Sequence, residues 1–441
     1  MSLLTPIVSR AMGWYTGEPR QARRRQRMLR ARPDRAHVLQ YFHQVDDPYS
    51  HLAAQALAEL YERYAIEIEL HLVGPPADWA APERALLADW SLRDATLLAR
   101  RAGLVFAPRV TAPEPSACRA AVAAIGASDP GPRLGIAALA CAIRAGEALW
   151  AGDHPRAPDV PAHRIAEQLR AGSARRDALG HFMSGMIRFA GDWYWGVDRL
   201  HHLERQLQAL GLSRKDVPPP LRYAEAPFNP HPMPWSSPAK GRPATGRVLH
   251  FYLSFRSPYT AVAAPRVAAL AQASGATLAL RFVLPMIMRG LPVPRRKGLA
   301  FALDAAREAR YHGLPFGRIA DPVGRPVERG YALLPWARAE GRALPYVLSF
   351  LRAVWAEGVD AGTDRGLRRI VTAAGLSWSD AKPHLGSDAW RDEAEANRRE
   401  MRAFGLWGVP CFRVEDTVVW GQDRLWVVEA ALRAPPTSTA S

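Results

Sequence analysis

A serine and a proline, Ser257-Pro258, close a short apolar run at Val248–Phe255. The pair reads as a helix start, with serine as the cap and proline at the first helical position. The N-terminus of such a helix carries unpaired N–H groups and the positive end of the helix dipole, which together stabilise an anion such as a thiolate. A serine hydroxyl placed there can donate to sulfur without being the nucleophile. Further along stand Gly408-Val409-Pro410-Cys411 and Gly421-Gln422-Asp423-Arg424. Asp423 can only accept hydrogen bonds and suits an ammonium group. Lys297 is conspicuous because the chain has 58 Lys and Arg residues, of which only Lys215, Lys240, Lys297 and Lys382 are lysines. Each residue also has a plainer reading. Ser257 and Asp423 can be helix-start residues only, Tyr259 can pack in the core, Lys297 can lie on a solvated face, and Cys411 can be a buried strand residue instead of a redox-sensitive contact.

The same residue types exclude other chemistries. Three cysteines, Cys118, Cys141 and Cys411, make no CxxC pair and no closed disulfide framework. This argues against a dithiol oxidoreductase and for a reducing, cytoplasmic setting. His201-His202 have no defensible metal-ligand spacing, so no metal is expected. No apolar run approaches the ~20 residues of a membrane span, and the start lacks the apolar stretch of about 7–15 residues expected of a secretory signal. The net charge of +16 is an arginine excess. It reads chiefly as compositional bias, with binding of nucleic acid or an anionic surface as the alternative.

These residues need elements to hold them. Val248–Phe255 and Leu278–Met286 read as strands flanking a helix over Ala261–Ser274, kinked at Pro265. Helical patterns follow from Gly298 to Arg402, with breaks at Pro315, Pro322, Pro345 and Gly375. A hairpin over Cys411–Trp420 and a last helix from Asp423 to Arg433 complete a βαβ half, a helical insertion and a ββα half. A second block has matching ends: His37–Val45 followed by Asp47-Pro48-Tyr49-Ser50, and Trp195-Gly196-Val197-Asp198-Arg199-Leu200 against Trp420-Gly421-Gln422-Asp423-Arg424-Leu425. Two signatures repeated over most of a domain length predict a tandem duplication. The expected layout of this α/β chain is a basic arm, flexible or partly helical, at 1–35, a domain at 36–211, a proline-rich linker at 212–246, a domain at 247–433 and a tail at 434–441. Both domains are expected to be thioredoxin-like, packed against each other.

The later block resembles the DsbA-like thioredoxin-fold group, and more narrowly the 2-hydroxychromene-2-carboxylate isomerases and kappa-class glutathione transferases. The matching pieces are Ser257-Pro258-Tyr259, Ile287-Met288-Arg289, Arg296-Lys297-Gly298, Gly408-Val409-Pro410 and Gly421-Gln422-Asp423-Arg424, in the family order. The resemblance implies glutathione as cofactor and a small electrophilic, aromatic substrate. It implies Ser257 at the glutathione sulfur and Val409 pairing with the tripeptide backbone ahead of a cis Pro410. Gln422 and Asp423 would hold the γ-glutamyl end, and Lys297 the glycyl carboxylate. Tyr259, Arg289 and Cys411 would line the substrate pocket. A dimer, common in the family, is a further expectation. The loop Gly290–Pro294 lacks the family's Gly-Asn pair, which removes one polar contact with glutathione.

In the earlier block Asp47 replaces the serine, and Met183-Ser184-Gly185 replaces Gly-Val-Pro. A carboxylate there would repel a thiolate by about 4 kcal/mol at ~4 Å and an effective dielectric of ~20. This block is expected to be an inert copy in which Asp47 serves as a helix cap. A chain in which both blocks have lost chemistry and act as a binding scaffold is the remaining alternative.

Overall fold

The computed structural model describes residues 4–127, 136–216, 220–224 and 246–434. Most of the segment 212–246 and the tail beyond 434 lie outside these residues. The chain forms two compact units. One is Ala22–Ala226; the other joins Met1–Gln21 to Pro227–Ser441. They are called here the N-terminal and C-terminal units.

Each unit holds a four-stranded mixed sheet. In the N-terminal unit β1 (Val38–His43) pairs in parallel with β2 (Glu67–Leu72) and antiparallel with β3 (Met186–Phe189), which pairs with β4 (Asp192–Trp195). In the C-terminal unit β5 (Val248–Leu253) pairs in parallel with β6 (Thr277–Phe282) and antiparallel with β7 (Cys411–Val414), which pairs with β8 (Thr417–Trp420). The strand orders β2-β1-β3-β4 and β6-β5-β7-β8 are the same topology. β1 and most of β5 are buried along their length without in–out alternation, their mainly apolar residues interrupted by Gln40 and His43 in β1 and His250 in β5.

Local bonds repeat as well. Gln44 N donates to Ser50 Oγ at 3.3 Å, and Ser254 N to Thr260 Oγ1 at 3.5 Å. The Tyr49 hydroxyl donates to Asp94, and the Tyr259 hydroxyl to Asp304, both at 2.8 Å. The two members of each pair are 210 residues apart in sequence. In the second half, Gly196 N donates to the Gly185 carbonyl and Gly421 N to the Pro410 carbonyl, both at 2.9 Å, an offset of 225 residues.

Several elements differ from expectation. The second strand of the C-terminal unit stops at Phe282, and Met286–Arg289 forms a 3₁₀ turn instead of a strand end. Pro345 breaks nothing: it lies in the first turn of the helix Ala343–Trp355, where an N–H is not needed. Pro265 lies, as expected, inside one helix, Pro258–Ser274. The segment 1–35 is two helices, Leu4–Thr16 and Glu18–Ala31, divided between the units instead of standing as one arm. Leu4–Thr16 is part of the C-terminal unit. Ser9 and Thr16 are buried, and Arg310 donates to the Thr16 carbonyl at 2.9 Å. A Cβ on Gly358 would lie 1.9 Å from Ser9 Oγ, so only glycine admits the helix there. Part of the arginine excess is folded into the N-terminal unit: Arg24 and Arg25 both pair with Asp192, and Arg35 with Glu69. Among the described residues no helix is long and apolar enough to cross a membrane.

Candidate active site

Ser257 ends the turn after β5 in extended conformation and caps the helix Pro258–Ser274. Its Oγ accepts from Thr260 N at 3.1 Å and donates to the Val409 carbonyl at 3.2 Å. That second bond ties the helix start to the loop before β7, which contains the cis Val409–Pro410 peptide. Four successive carbonyls of this loop have separate donors. Arg289 bonds Trp407 O at 2.9 Å, Cys411 Sγ bonds Gly408 O at 2.8 Å, Ser257 bonds Val409 O, and Gly421 N bonds Pro410 O at 2.9 Å. The loop is therefore held from the 3₁₀ turn, from β7, from the helix start and from the end of β8. Gly408 has a steric reason: a Cβ there would lie 2.5 Å from the Trp420 indole, which packs edge-on against Trp407.

The bond from Gly421 brings the next two residues to the same region. Asp423 is half-buried, whereas Gln422 is fully buried. The Gln422 amide nitrogen donates to Glu308 at 2.8 Å and to Asp423, and its amide oxygen accepts from Arg266. Gln422 thus has both ends of its side chain engaged within the protein.

Lys297 lies in the first turn of the helix Arg295–Tyr311 and is 3% exposed, so it is not on a solvated face. Burial pushes its ammonium down to about 8. Its nitrogen is 5.8 Å from the Phe301 ring centroid, and the Tyr259 ring also packs on Phe301. The Cys411 thiol is fully buried in β7, and burial raises it well above the usual range, as for a cysteine packed as a strand residue. Ser257, Val409, Pro410 and Arg289 converge on one loop, with Gln422 and Asp423 beside it. Lys297 and Tyr259 meet at Phe301. Sequence reading missed Phe301, Asp304, Arg266 and Glu308. Arg266 alone had a signal, as a single cation in the apolar run Ala261–Ala271.

In the N-terminal unit Asp47 caps the helix Pro48–Arg63. It accepts from Tyr49 N and Ser50 N at 3.2 Å, from Ser50 Oγ at 2.7 Å and from Ser184 Oγ at 3.1 Å. Desolvation raises its carboxyl from 3.8 to about 6. A carboxyl raised in this way stabilises the fold below its unfolded value and loses that contribution as pH rises through the folded one. Asp47→Asn keeps a capping side chain without the titration. Its melting temperature relative to wild type is expected to rise by roughly 3 °C or more between pH 4 and pH 7. Calorimetric scans of both proteins across that range check this; a constant difference would refute it.

Residues 248–433 match the model of the DSBA-like thioredoxin domain, so the C-terminal half carries such a domain. A 2-hydroxychromene-2-carboxylate isomerase of Pseudomonas putida is 27% identical over 193 residues, covering 42% of this chain and 94% of that protein. A solved structure of selenomethionine-labelled 2-hydroxychromene-2-carboxylate isomerase is 26% identical, with a TM-score of 0.36, over 42% of this chain and 94% of that one. The cytosolic disulfide reductase DsbM of Pseudomonas aeruginosa, solved with glutathione, is 20% identical with a TM-score of 0.32, over 42% of this chain and 100% of that one.

Proposed function

We propose that the C-terminal unit is a glutathione-dependent isomerase or transferase acting on a small electrophilic, aromatic compound, in the manner of the 2-hydroxychromene-2-carboxylate isomerases. The observation that carries this reading is Ser257. It sits at a helix N-terminus, bonded to the loop of Val409–Pro410, inside residues 248–433 that match the DSBA-like thioredoxin domain.

The residues fit the cofactor in three places. Ser257 offers a hydroxyl donor beside a helix N-terminus, Asp423 an acceptor for an ammonium, and Lys297 a buried cation for a carboxylate. Gln422 does not fit as a direct contact, because its amide is engaged internally. Bound there, glutathione would supply a thiolate nucleophile whose reversible addition lets a double bond change geometry. Ser257 would hold the sulfur anionic by donating a hydrogen bond to it, the proton staying on oxygen, which requires the hydroxyl to turn from Val409 O. The helix N-terminus adds positive potential at the same point. Lys297 and Asp423 orient the two ends of the tripeptide.

The N-terminal unit is read as a duplicated copy without this activity. The bonds repeated at offsets of 210 and 225 residues support duplication. Asp47 supports the loss, since a carboxylate replaces the hydroxyl donor and would repel a thiolate. Calorimetric titration of the full chain with glutathione tests both parts. Saturable binding with a dissociation constant of about 1 mM or tighter is expected, unchanged within about twofold in Asp47→Ala. No heat of binding would end the cofactor reading, and loss in Asp47→Ala would end the assignment of the inert copy.

A further inference from the structure

The network around Gln422 distinguishes the two units. Arg266, Glu308 and Gln422 are all buried, at 7%, 2% and 1% exposure. At the corresponding offsets the N-terminal unit has Ala56, Leu98 and Val197, apolar core residues at 0%, 4% and 6%. The fold therefore does not need polar groups at these three positions. Buried charges carry a desolvation cost, and apolar replacements of similar volume are often neutral or stabilising. Through the Gln422 amide the network reaches Asp423, whose counterpart at the same offset is Asp198.

Its chemistry also fixes a direction. Arginine only donates and a carboxylate only accepts. With Arg266 Nη1 at its oxygen and Glu308 at its nitrogen, the Gln422 amide has one orientation, and that orientation turns its NH₂ toward the Asp423 carboxylate. Arg266 also donates to the Gln422 carbonyl at 3.2 Å, which holds the backbone of the turn Gln422–Arg424.

We infer that Arg266 and Glu308 are positioning residues that orient Asp423, through the locked amide of Gln422, to recognise an α-ammonium group on the ligand. The inference rests on the glutathione reading and deepens it: the ligand is selected for a free amino group at its γ-glutamyl end.

The test compares two probes on the full chain by calorimetry: glutathione, and its desamino analogue, in which glutaryl replaces γ-glutamyl and the α-ammonium is missing. Wild type is expected to prefer glutathione by about tenfold or more, the range of one hydrogen bond to a charged group. Glu308→Leu and Gln422→Val, each installing the residue of the N-terminal unit, are expected to reduce that preference to about twofold while affinity for the analogue stays unchanged. Glu308→Gln keeps an acceptor for Gln422 and is expected to retain most of the preference. It is near-isosteric, so it keeps the test open should the other variants fail to fold: complete loss of preference in a folded Glu308→Gln overturns the inference. So does a preference that survives in either apolar variant, or an equal weakening of both probes, which would mark a merely structural role. Absence of glutathione binding in wild type overturns the functional reading itself. Wild type that binds both probes equally keeps the site and overturns the ammonium selection.

Discussion

Alanine at position 257 is expected to lower glutathione-dependent turnover about 100-fold or more while leaving a folded protein. Removing one preorganised donor from a developing or bound anion typically costs 10²–10³ in rate, about 3–4 kcal/mol. The same substitution removes a helix cap, which costs about 1 kcal/mol of stability. The two effects separate experimentally. Ser257→Thr keeps hydroxyl and cap, and should keep most of the activity. Ser257→Ala should raise the pKa of bound glutathione, read from thiolate absorbance against pH. Its rate with an aryl halide electrophile should then begin to rise at higher pH than that of wild type. Activity within about fivefold of wild type, with an unmoved thiol titration, would remove Ser257 from the mechanism.

The second large effect concerns the support behind that serine. Phe255 is fully buried two residues before Ser257, stacked on Phe350 at 3.9 Å and flanked by Tyr331 at 4.9 Å and Tyr346 at 6.3 Å. Its backbone is held too: Phe255 N donates to the Tyr331 hydroxyl at 3.3 Å, and Trp355 Nε1 donates to its carbonyl at 2.9 Å. Phe255→Ala deletes the centre of this cluster. Such truncations cost about 3–5 kcal/mol, because the surroundings close only partly over the cavity. Calorimetry of the full chain should show the melting transition of the C-terminal unit lowered by roughly 10 °C, with that of the N-terminal unit in place. A shift below about 3 °C would mean that the neighbouring rings repack into the space.

How far the chain could be read without its structure depended on range. The Ser257 cap, the hairpin Cys411–Trp420 and the strand Val248–Leu253 are written in neighbouring residues, where Ser-Pro, Glu-Asp and an apolar run each act within a few positions. The repeat of Asp47-Pro48-Tyr49 and Ser257-Pro258-Tyr259 was equally visible. The partners of Gln422 were not, because Arg266 and Glu308 lie 156 and 114 residues away. The burial of Lys297 was hidden for a related reason: a lysine beside two arginines at a helix start looks solvated, and only the packing of that helix places it inside. Pro345 misled because a proline's effect depends on its position within a helix, and the start at Ala343 is set by tertiary packing.

The first helix of the chain carries a consequence for how the protein is made. Leu4–Thr16 completes the C-terminal unit, and the residue that holds Thr16, Arg310, follows it by 294 positions. In architectural terms the N-terminal unit is a guest inserted into a host whose two pieces flank it. During synthesis the guest can close on itself as soon as it leaves the ribosome, while the opening helix of the host has to wait until Arg310, Gly317 and Gly358 have been made. Expressing residues 246–441 alone would therefore yield the host without its first helix, with the glycines that receive it, Gly317 and Gly358, left uncovered.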